Sequence, residues 1–176
     1  MPDARRHPPA EHPACLGLGS NCDPAFHLPR ALSALRRASW VAVEAVSTAW
    51  QSPAVGSDGP DYLNAALLVT TRLPAPELRS RLKRLENALG RTHGGEPSGP
   101  VTIDIDILTF DGSVLSPDLW TLAYRCVPAA ELRPDLTSPL SGQTLAQAAR
   151  RLALATRIEP RPDVFPGAPV AARSPA

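Results

Sequence analysis

Apolar and acidic residues alternate along residues 101–108, which read Val-Thr-Ile-Asp-Ile-Asp-Ile-Leu. Successive side chains of an extended strand point to opposite faces, so this pattern predicts a strand whose three isoleucines share the core face. Asp104 and Asp106 then lie side by side on the other face, with their Cβ atoms roughly 7 Å apart. The two carboxylates repel each other unless a cation lies between them. The pattern therefore indicates either a solvent-facing strand edge or a site for a divalent cation such as Mg²⁺.

Three other segments carry the apolar or alternating patterns of strands: residues 14–19, 41–51 and 62–73. The first is expected to turn at residues 19–21, where glycine, serine and asparagine follow one another. The third is stopped by Pro74, which cannot donate a backbone hydrogen bond to a sheet. After the acidic strand, Asp111 and Gly112 predict a tight hairpin turn.

Leucine and alanine recur at helical spacing in two segments. The first predicted helix contains Leu28, Ala31, Leu32, Leu35 and Ala38. Pro29 is expected in its first turn, where a missing N–H costs nothing. The second predicted helix contains Leu78, Leu82, Leu85 and Leu89. Glu77 lies in its first turn and Gly90 just after its end, which are the places that favour these residue types. Two shorter helices are expected near residues 128–132 and 143–154.

The predicted order of elements is strand, helix, strand, strand, helix, strand. This order is typical of a split βαβ arrangement in the α+β class, with one antiparallel sheet covered by helices on one face. An open face or edge of the sheet is then available for ligands. Two loops rich in glycine and proline, residues 52–60 and 91–99, flank the acidic strand as lids would.

Length and composition favour one self-sufficient domain. A chain of 176 residues can bury a core without covalent staples, and its three cysteines form no C-x-x-C pair, which argues against a disulfide framework or a structural zinc site. Nine of the 21 prolines lie in residues 1–13 and 157–176. Segments of this composition bury little apolar surface. We therefore expect mobile tails at residues 1–13 and 157–176 around a folded body at residues 14–156.

Charge and hydropathy exclude several classes of protein. The net charge of +1 provides no basic field for a long nucleic acid, and three Trp, two Tyr and three Phe are too few for an RNA-binding sheet. No apolar run is long enough for a signal peptide or a membrane span. We expect a cytoplasmic monomer that binds small molecules.

Four segments resemble those of the 6-hydroxymethyl-7,8-dihydropterin pyrophosphokinase family, in order and in spacing: residues 17–21 (Gly-Leu-Gly-Ser-Asn), 61–66 (Asp-Tyr-Leu-Asn-Ala-Ala), 99–108 and 127–136. The resemblance covers about residues 14–150. It implies a ferredoxin-like α+β fold. It also implies transfer of pyrophosphate from ATP to the hydroxymethyl group of a reduced pterin, with two Mg²⁺ ions, in folate biosynthesis.

The resemblance also implies roles for particular residues. Asp104 and Asp106 match the metal-binding acids, and together with Arg91 they are the expected catalytic residues. The pterin site is expected to contain Tyr62, Asn64, Tyr124, Ser52, Pro53, Ala54 and Val55. The nucleotide site is expected to contain Glu86, Arg91 and Ile107. An aromatic ring stacks on a flat bicyclic ligand, and an amide pairs with its donors and acceptors.

The chain departs from the family pattern at several basic positions. Val101 replaces an arginine before the two acids, and Ser98 replaces a tryptophan. The family's His-Pro-Arg segment aligns with Ser-Pro-Asp at residues 116–118, and Leu122 replaces a further arginine. Such groups contact phosphates, and losing one commonly costs about 10²- to 10³-fold in rate.

Two functions therefore stay open at the level of sequence. One is a working pyrophosphokinase in which Arg91, His93 and Arg125 compensate in part for the missing basic groups. If the chain is extended at Tyr124, however, Arg125 points to the opposite face. The other is a pterin-binding paralogue that has lost phosphoryl transfer and acts as a carrier, sensor or partner protein.

Overall fold

The computed structural model describes residues 10–56, 59–91 and 99–166. Within these ranges the chain forms seven strands, four α-helices and one 3₁₀ helix. The strands are β1 (His12–Ser20), β2 (Val41–Val46), β3 (Ala49–Ser52), β4 (Tyr62–Thr71), β5 (Asp104–Phe110), β6 (Ser113–Val114) and β7 (Glu159–Arg161). The helices are α1 (Pro24–Arg37), α2 (Ala75–Ala88), the 3₁₀ helix (Pro117–Trp120), α3 (Ala123–Leu132) and α4 (Leu145–Ala155).

All strands belong to one antiparallel sheet in the order β6-β5-β1-β4-β3-β7, and β2 also pairs with β4. Strand β4 thus lies between β1 and the two strands that follow α1, which is the split βαβ topology. The predicted ferredoxin-like α+β fold is confirmed. The segment predicted as one strand at residues 41–51 is two strands, because the chain leaves the ladder at Ser47 and Thr48. There the Ser47 hydroxyl accepts a hydrogen bond of 2.8 Å from the backbone N–H of Ala66.

Helices cover both faces of the sheet, so the prediction of a single covered face is wrong. Side chains alternate along β1: Leu16 packs with α1 and α2, whereas Cys15 packs with α3 and α4. Leu67 and Ala66 of β4 divide between the two cores in the same way. The second face is covered because apolar residues of α3 and α4 pack against it. The two helices leave one end of that face uncovered.

Two helices begin earlier than predicted. Helix α1 begins at Pro24, which takes the position that needs no N–H, and Pro29 lies inside the helix. Helix α3 begins at Ala123 rather than near Pro128, so the residues around Tyr124 are helical and not extended. Helix α2 agrees with the prediction, and Gly90 after its end has a positive φ of 97°.

The folded body extends beyond the predicted limits at both ends. Strand β1 begins at His12, and β7 at residues 159–161 pairs with the edge of β3. Val164 is buried in the core beside α1 and α2. Pro160 fits because β7 is an edge strand. Residues 1–9 and 167–176 of the two predicted tails lie outside the described residues.

The hairpin after β5 follows the sequence prediction. Asp111 and Gly112 have positive φ angles of 49° and 77°, and the ladder pairs Phe110 with Ser113 across them. In the part of the chain that the structure describes, no helix has the length and apolar character needed to cross a bilayer.

Glu131 of α3 joins the helix to the sheet. Its carboxylate accepts hydrogen bonds from the backbone N–H of Thr48 at 2.8 Å and from Nε1 of Trp50 at 2.6 Å. Both donors lose their partner if the carboxylate is removed. We expect Glu131→Ala to lower the free energy of unfolding by about 1–3 kcal/mol, measured by urea denaturation. An unchanged transition midpoint would contradict this role.

Candidate active site

A cavity of about 300 Å³ opens at the uncovered end of the sheet face that carries α3. Its lining comes from the end of β1, the end of β3, the starts of β4 and β5, and the start of α3. It includes Gly17, Gly19, Ser52, Pro53, Val55, Tyr62, Asn64, Arg91, Val101, Asp104, Asp106, Leu108, Tyr124 and Arg125. One end of this sheet face therefore brings most of the predicted site residues together.

Two glycines of β1 form part of the cavity floor. Gly17 is paired with Asp106 and Gly19 with Asp104 across the β1–β5 ladder. A Cβ atom on Gly19 would lie only 2.8 Å from Oδ1 of Asn64, and one on Gly17 would lie 3.3 Å from the side chain of Leu108. The floor is open because neither position carries a side chain.

The alternation predicted for β5 is confirmed. Ile103, Ile105 and Ile107 are buried in the core beside α1 and α2, whereas both aspartates line the cavity. The Asp104 and Asp106 side chains are 35% and 39% exposed, so both can reach a ligand. The same alternation turns the Ile107 side chain away from the cavity, and the structure does not bring this side chain to the predicted nucleotide site.

Each aspartate is paired with a positive charge. Asp104 forms a short hydrogen bond with Arg91 and lies 3.3 Å from Nζ of Lys83. Asp106 lies 3.0 Å from a terminal nitrogen of Arg125. These cations offset the repulsion between the two carboxylates.

Glu86 supports this cluster from below. Its side chain is fully buried, and Oε1 accepts hydrogen bonds from the backbone N–H of Ile105 at 2.7 Å and from Lys83 at 2.8 Å. Oε2 lies 3.8 Å from Nε of Arg91. Glu86 is not among the residues that line the cavity, and its hydrogen bonds in this structure are internal. A contact with a nucleotide stays a prediction. Glu86 holds the start of β5, and with it Asp104, against α2.

Lys83 was not predicted, although it lies three residues before Glu86 on the same helix face. Burial of the Lys83 amine disfavours its charge, but the hydrogen bond to Glu86 and the nearby charge of Asp104 outweigh that cost. The pKa of Lys83 is therefore raised above its usual value.

The other wall of the cavity is aromatic and polar. Tyr62 and Tyr124 both line it, and Nδ2 of Asn64 donates a hydrogen bond of 3.4 Å to the Ser52 hydroxyl. Burial, followed by the charge of Asp104, raises the pKa of Tyr62, so its hydroxyl stays protonated at neutral pH. Planar ring, hydroxyl and amide groups thus line the same cavity as the two acids.

Arg125 lines the cavity, whereas an extended chain at Tyr124 would have turned its side chain to the opposite face. The cause is the helical start of α3 at Ala123. The Arg125 guanidinium donates hydrogen bonds to Asp106 and to the Ser116 hydroxyl, and its Cζ lies 5.6 Å from the centroid of the Tyr124 ring. The start of α3 thereby places a basic group in the cavity beside Asp106.

The remaining predicted positions are distributed as follows. Ser52, Pro53 and Val55 line the cavity, whereas Ala54 is not among its lining residues. Asp118 is exposed on the 3₁₀ helix, and Leu122 precedes α3. His93 and Ser98 lie outside the described residues.

Asn21, in the turn after β1, also has a positional role that the sequence did not show. Its Oδ1 accepts a hydrogen bond of 2.6 Å from the backbone N–H of Val101, and its own N–H donates to the Val101 carbonyl at 3.0 Å. The turn after β1 thus fixes the backbone of Val101, just before β5 begins.

The fold and the cavity define a ferredoxin-like α+β protein whose cleft carries two carboxylates with matching cations beside a polar aromatic wall. Residues 15–134 match the model of the 7,8-dihydro-6-hydroxymethylpterin-pyrophosphokinase (HPPK) family. The chain belongs to this family.

Known proteins with similar sequences carry corresponding names. The chain is 32% identical over 145 residues to a 2-amino-4-hydroxy-6-hydroxymethyldihydropteridine pyrophosphokinase of Synechocystis sp., covering 77% of this chain and 74% of that protein. It is 35% identical over 149 residues to the protein of the same name from Methylorubrum extorquens, covering 79% and 92%. It is 32% identical over 126 residues to the mitochondrial folate synthesis bifunctional protein of Pisum sativum, covering 71% of this chain and 24% of that longer protein.

The buried carboxylate of Glu86 generates a prediction about stability. Glu86→Ala removes the acceptor shared by the Ile105 N–H and Lys83, and with it the negative charge that faces Arg91. We therefore expect the free energy of unfolding to fall by about 3 kcal/mol in urea denaturation. Glu77→Ala is the matched control on α2, since Glu77 forms only an exposed pair with Arg81 at 3.4 Å. Its expected cost is about 0.5 kcal/mol. Equal losses in the two variants would contradict the role of Glu86.

Proposed function

We propose that this protein transfers pyrophosphate from ATP to the hydroxymethyl group of 6-hydroxymethyl-7,8-dihydropterin, a step of folate biosynthesis. Membership of the family and the names of its relatives support this function. The observation that carries it is the shared cavity. Asp104 and Asp106 project from one strand face into the space that Tyr62, Asn64 and Tyr124 also line.

The polar aromatic wall is the proposed pterin site. A reduced pterin is flat and bicyclic, with alternating donors and acceptors on one edge. The rings of Tyr62 and Tyr124 offer apolar faces for stacking, and the Asn64 amide offers both a donor and an acceptor. The glycine floor lets the ligand approach the backbone of β1. Bound in this way, the pterin would present its hydroxymethyl group toward the two aspartates.

The donor set of the acidic side fits Mg²⁺ bound together with ATP. Among residues 10–56, 59–91 and 99–166, no three His, Cys, Asp or Glu side chains cluster closely enough to hold a metal by themselves. Two carboxylates that need further oxygen ligands match a site completed by water and phosphate oxygens. Asp104 and Asp106 would hold two Mg²⁺ ions. Ions held there would supply positive charge to offset the negative charge of the triphosphate.

In the proposed reaction, the pterin hydroxyl oxygen forms a bond to the β-phosphorus of ATP. The bond from that phosphorus to the oxygen bridging it to the α-phosphorus breaks, AMP leaves, and the hydroxyl proton is released. The contribution of the protein is to orient the two substrates and to balance charge, which is the main source of rate in phosphoryl transfer.

The two arginines are the proposed phosphate ligands of the chain. Arg91 and Arg125 form ion pairs with the aspartates that would bind the metal ions. Each guanidinium carries five N–H donors, so both groups would have donors left for phosphate oxygens. Arg125 in particular would replace basic groups that are absent at Val101 and Leu122.

Formation of AMP from ATP, Mg²⁺ and the pterin alcohol tests the proposal. We expect the wild-type protein to form AMP, and Asp104→Asn and Asp106→Asn each to lower kcat by about 10²-fold or more. Pterin affinity, measured by fluorescence titration, should change little. Asp111→Asn is the matched control, because Asp111 lies in the hairpin turn after the same strand and its contact is with His12 at 2.7 Å. Tight pterin binding without AMP formation would instead support a binding protein that has lost catalysis.

The role of Arg125 has its own test. We expect Arg125→Ala to lower kcat by about 10²-fold, because a charged donor to the transferring phosphates is lost. Calorimetric titration with a non-hydrolysable ATP analogue should show weaker binding as well. Arg150→Ala, an exposed arginine on α4, is the control and should behave as wild type. Unchanged kcat and nucleotide affinity in the Arg125 variant would remove Arg125 from the mechanism.

A further inference from the structure

The connection from β3 to β4 begins and ends beside the proposed pterin site. Ser52 at the end of β3, Pro53 and Val55 after it, and Tyr62 at the start of β4 all line the cavity. The base of this connection is closed by a side-chain hydrogen bond. Nε2 of Gln51 donates to Oδ2 of Asp61 at 2.9 Å. The backbone ladder pairs Ser52 with Tyr62, and this side-chain hydrogen bond joins the residues that precede them in the chain.

Two arginines from the C-terminal segment contact this pair. A terminal nitrogen of Arg157 lies 2.9 and 2.8 Å from the two carboxylate oxygens of Asp61. Nη1 of Arg161 donates to Oε1 of Gln51 at 2.9 Å. Arg161 is itself oriented by Asp163, at 3.0 and 2.9 Å. The hydrogen bond from Gln51, and after it the contact with Arg157, holds the pKa of the Asp61 carboxyl below its usual range.

The segment that carries these arginines is anchored to the fold. Strand β7 pairs with β3 from Ala49 to Gln51, and Val164, only 4% exposed, is buried in the core with Phe165 packed against it. Arg161 belongs to this paired strand, and Arg157 lies two residues before it begins. The segment also lies beyond residue 134, where the match to the family model ends.

We propose that the segment 157–166 is a positioning element for the pterin site. Arg157 and Arg161 bracket the base of the β3–β4 connection, and the bracket sets the positions of Ser52 and Tyr62 on the cavity wall. This inference rests on the proposed function, because it concerns affinity for the pterin. Arg157 and Arg161 do not touch the substrate. They act through Asp61 and Gln51.

Loss of the two arginines should affect pterin binding much more than the free energy of folding. The side chains of Arg157 and Arg161 are 55% and 36% exposed, and ion pairs of this kind add little to the free energy of folding. A small displacement of a binding group costs far more in substrate recognition. Loss of the bracket should therefore weaken pterin binding without unfolding the protein. It should also spare the nucleotide side, which is built on α2, β5 and α3.

The test compares the double variant Arg157→Ala/Arg161→Ala with wild type. We expect the pterin Kd from fluorescence titration, and the pterin KM, to rise about tenfold. The Kd for an ATP analogue and kcat at saturating pterin should stay within about twofold, and the urea midpoint should stay near that of wild type. Arg72→Ala is the control, because Arg72 forms an exposed pair with Glu11 at 3.2 Å beyond the opposite end of β4.

The conservative variant Asp61→Asn provides a second readout. Its side chain can still accept the hydrogen bond from Gln51 but lacks the charge that faces Arg157, so an intermediate rise in pterin Kd is expected. Wild-type pterin affinity in the double variant would overturn the inference. So would a parallel loss of affinity for both ligands together with a lowered urea midpoint. A wild-type protein that binds no pterin would refute the proposed function itself, which distinguishes the two failures.

Discussion

The structure depends on keeping two like charges next to each other on one face of β5. Asp104 and Asp106 share that face because side chains alternate along a strand, and the buried isoleucines prevent the strand from turning over. The two carboxylates then require positive charge nearby. Arg91 and Lys83 supply it for Asp104, and Arg125 supplies it for Asp106. Lys83 lies on α2, Arg91 follows α2 and Arg125 lies on α3, so the packing of these two helices decides where each positive charge lies.

Neighbouring residues fix the position of the two aspartates. Glu86 binds the Ile105 N–H and the two cations near Asp104, so the start of β5 cannot move independently of α2. The turn after β1 holds Val101 through Asn21. On the cavity side, the missing side chains of Gly17 and Gly19 leave the space that a flat ligand needs. The same few strands therefore carry the two aspartates and form the open floor of the cavity.

The cleft shows how a family member can lack several basic residues and still carry a charge-balanced site. A basic group is absent at Val101 and at Leu122, yet the guanidinium of Arg125 reaches Asp106 from the first turn of α3. The proposed reaction needs positive charge near the phosphates, and the residue that supplies it can differ. The C-terminal segment adds a second feature of this chain, because β7 and its Arg161 contact β3, whose end lines the cavity.

Local patterns in the sequence predicted much of this molecule. The alternation around Asp104, the hairpin at Asp111 and the leucine series of α2 could be recognised because each depends on residues a few positions apart. The resemblance to the family then indicated Tyr62 and Tyr124. These inferences hold because strand and helix periodicity is a property of the backbone itself.

Only the tertiary structure decided which distant residues meet. The pairing of Arg125 with Asp106, the burial of Glu86 beneath β5 and the addition of β7 to the edge of β3 all join segments far apart in the chain. Composition favoured a mobile tail from residue 157 onward, yet pairing with an open strand edge and burial of Val164 order residues 159–164. The free energy of such contacts depends on the partner surface, and that surface exists only once the sheet has formed.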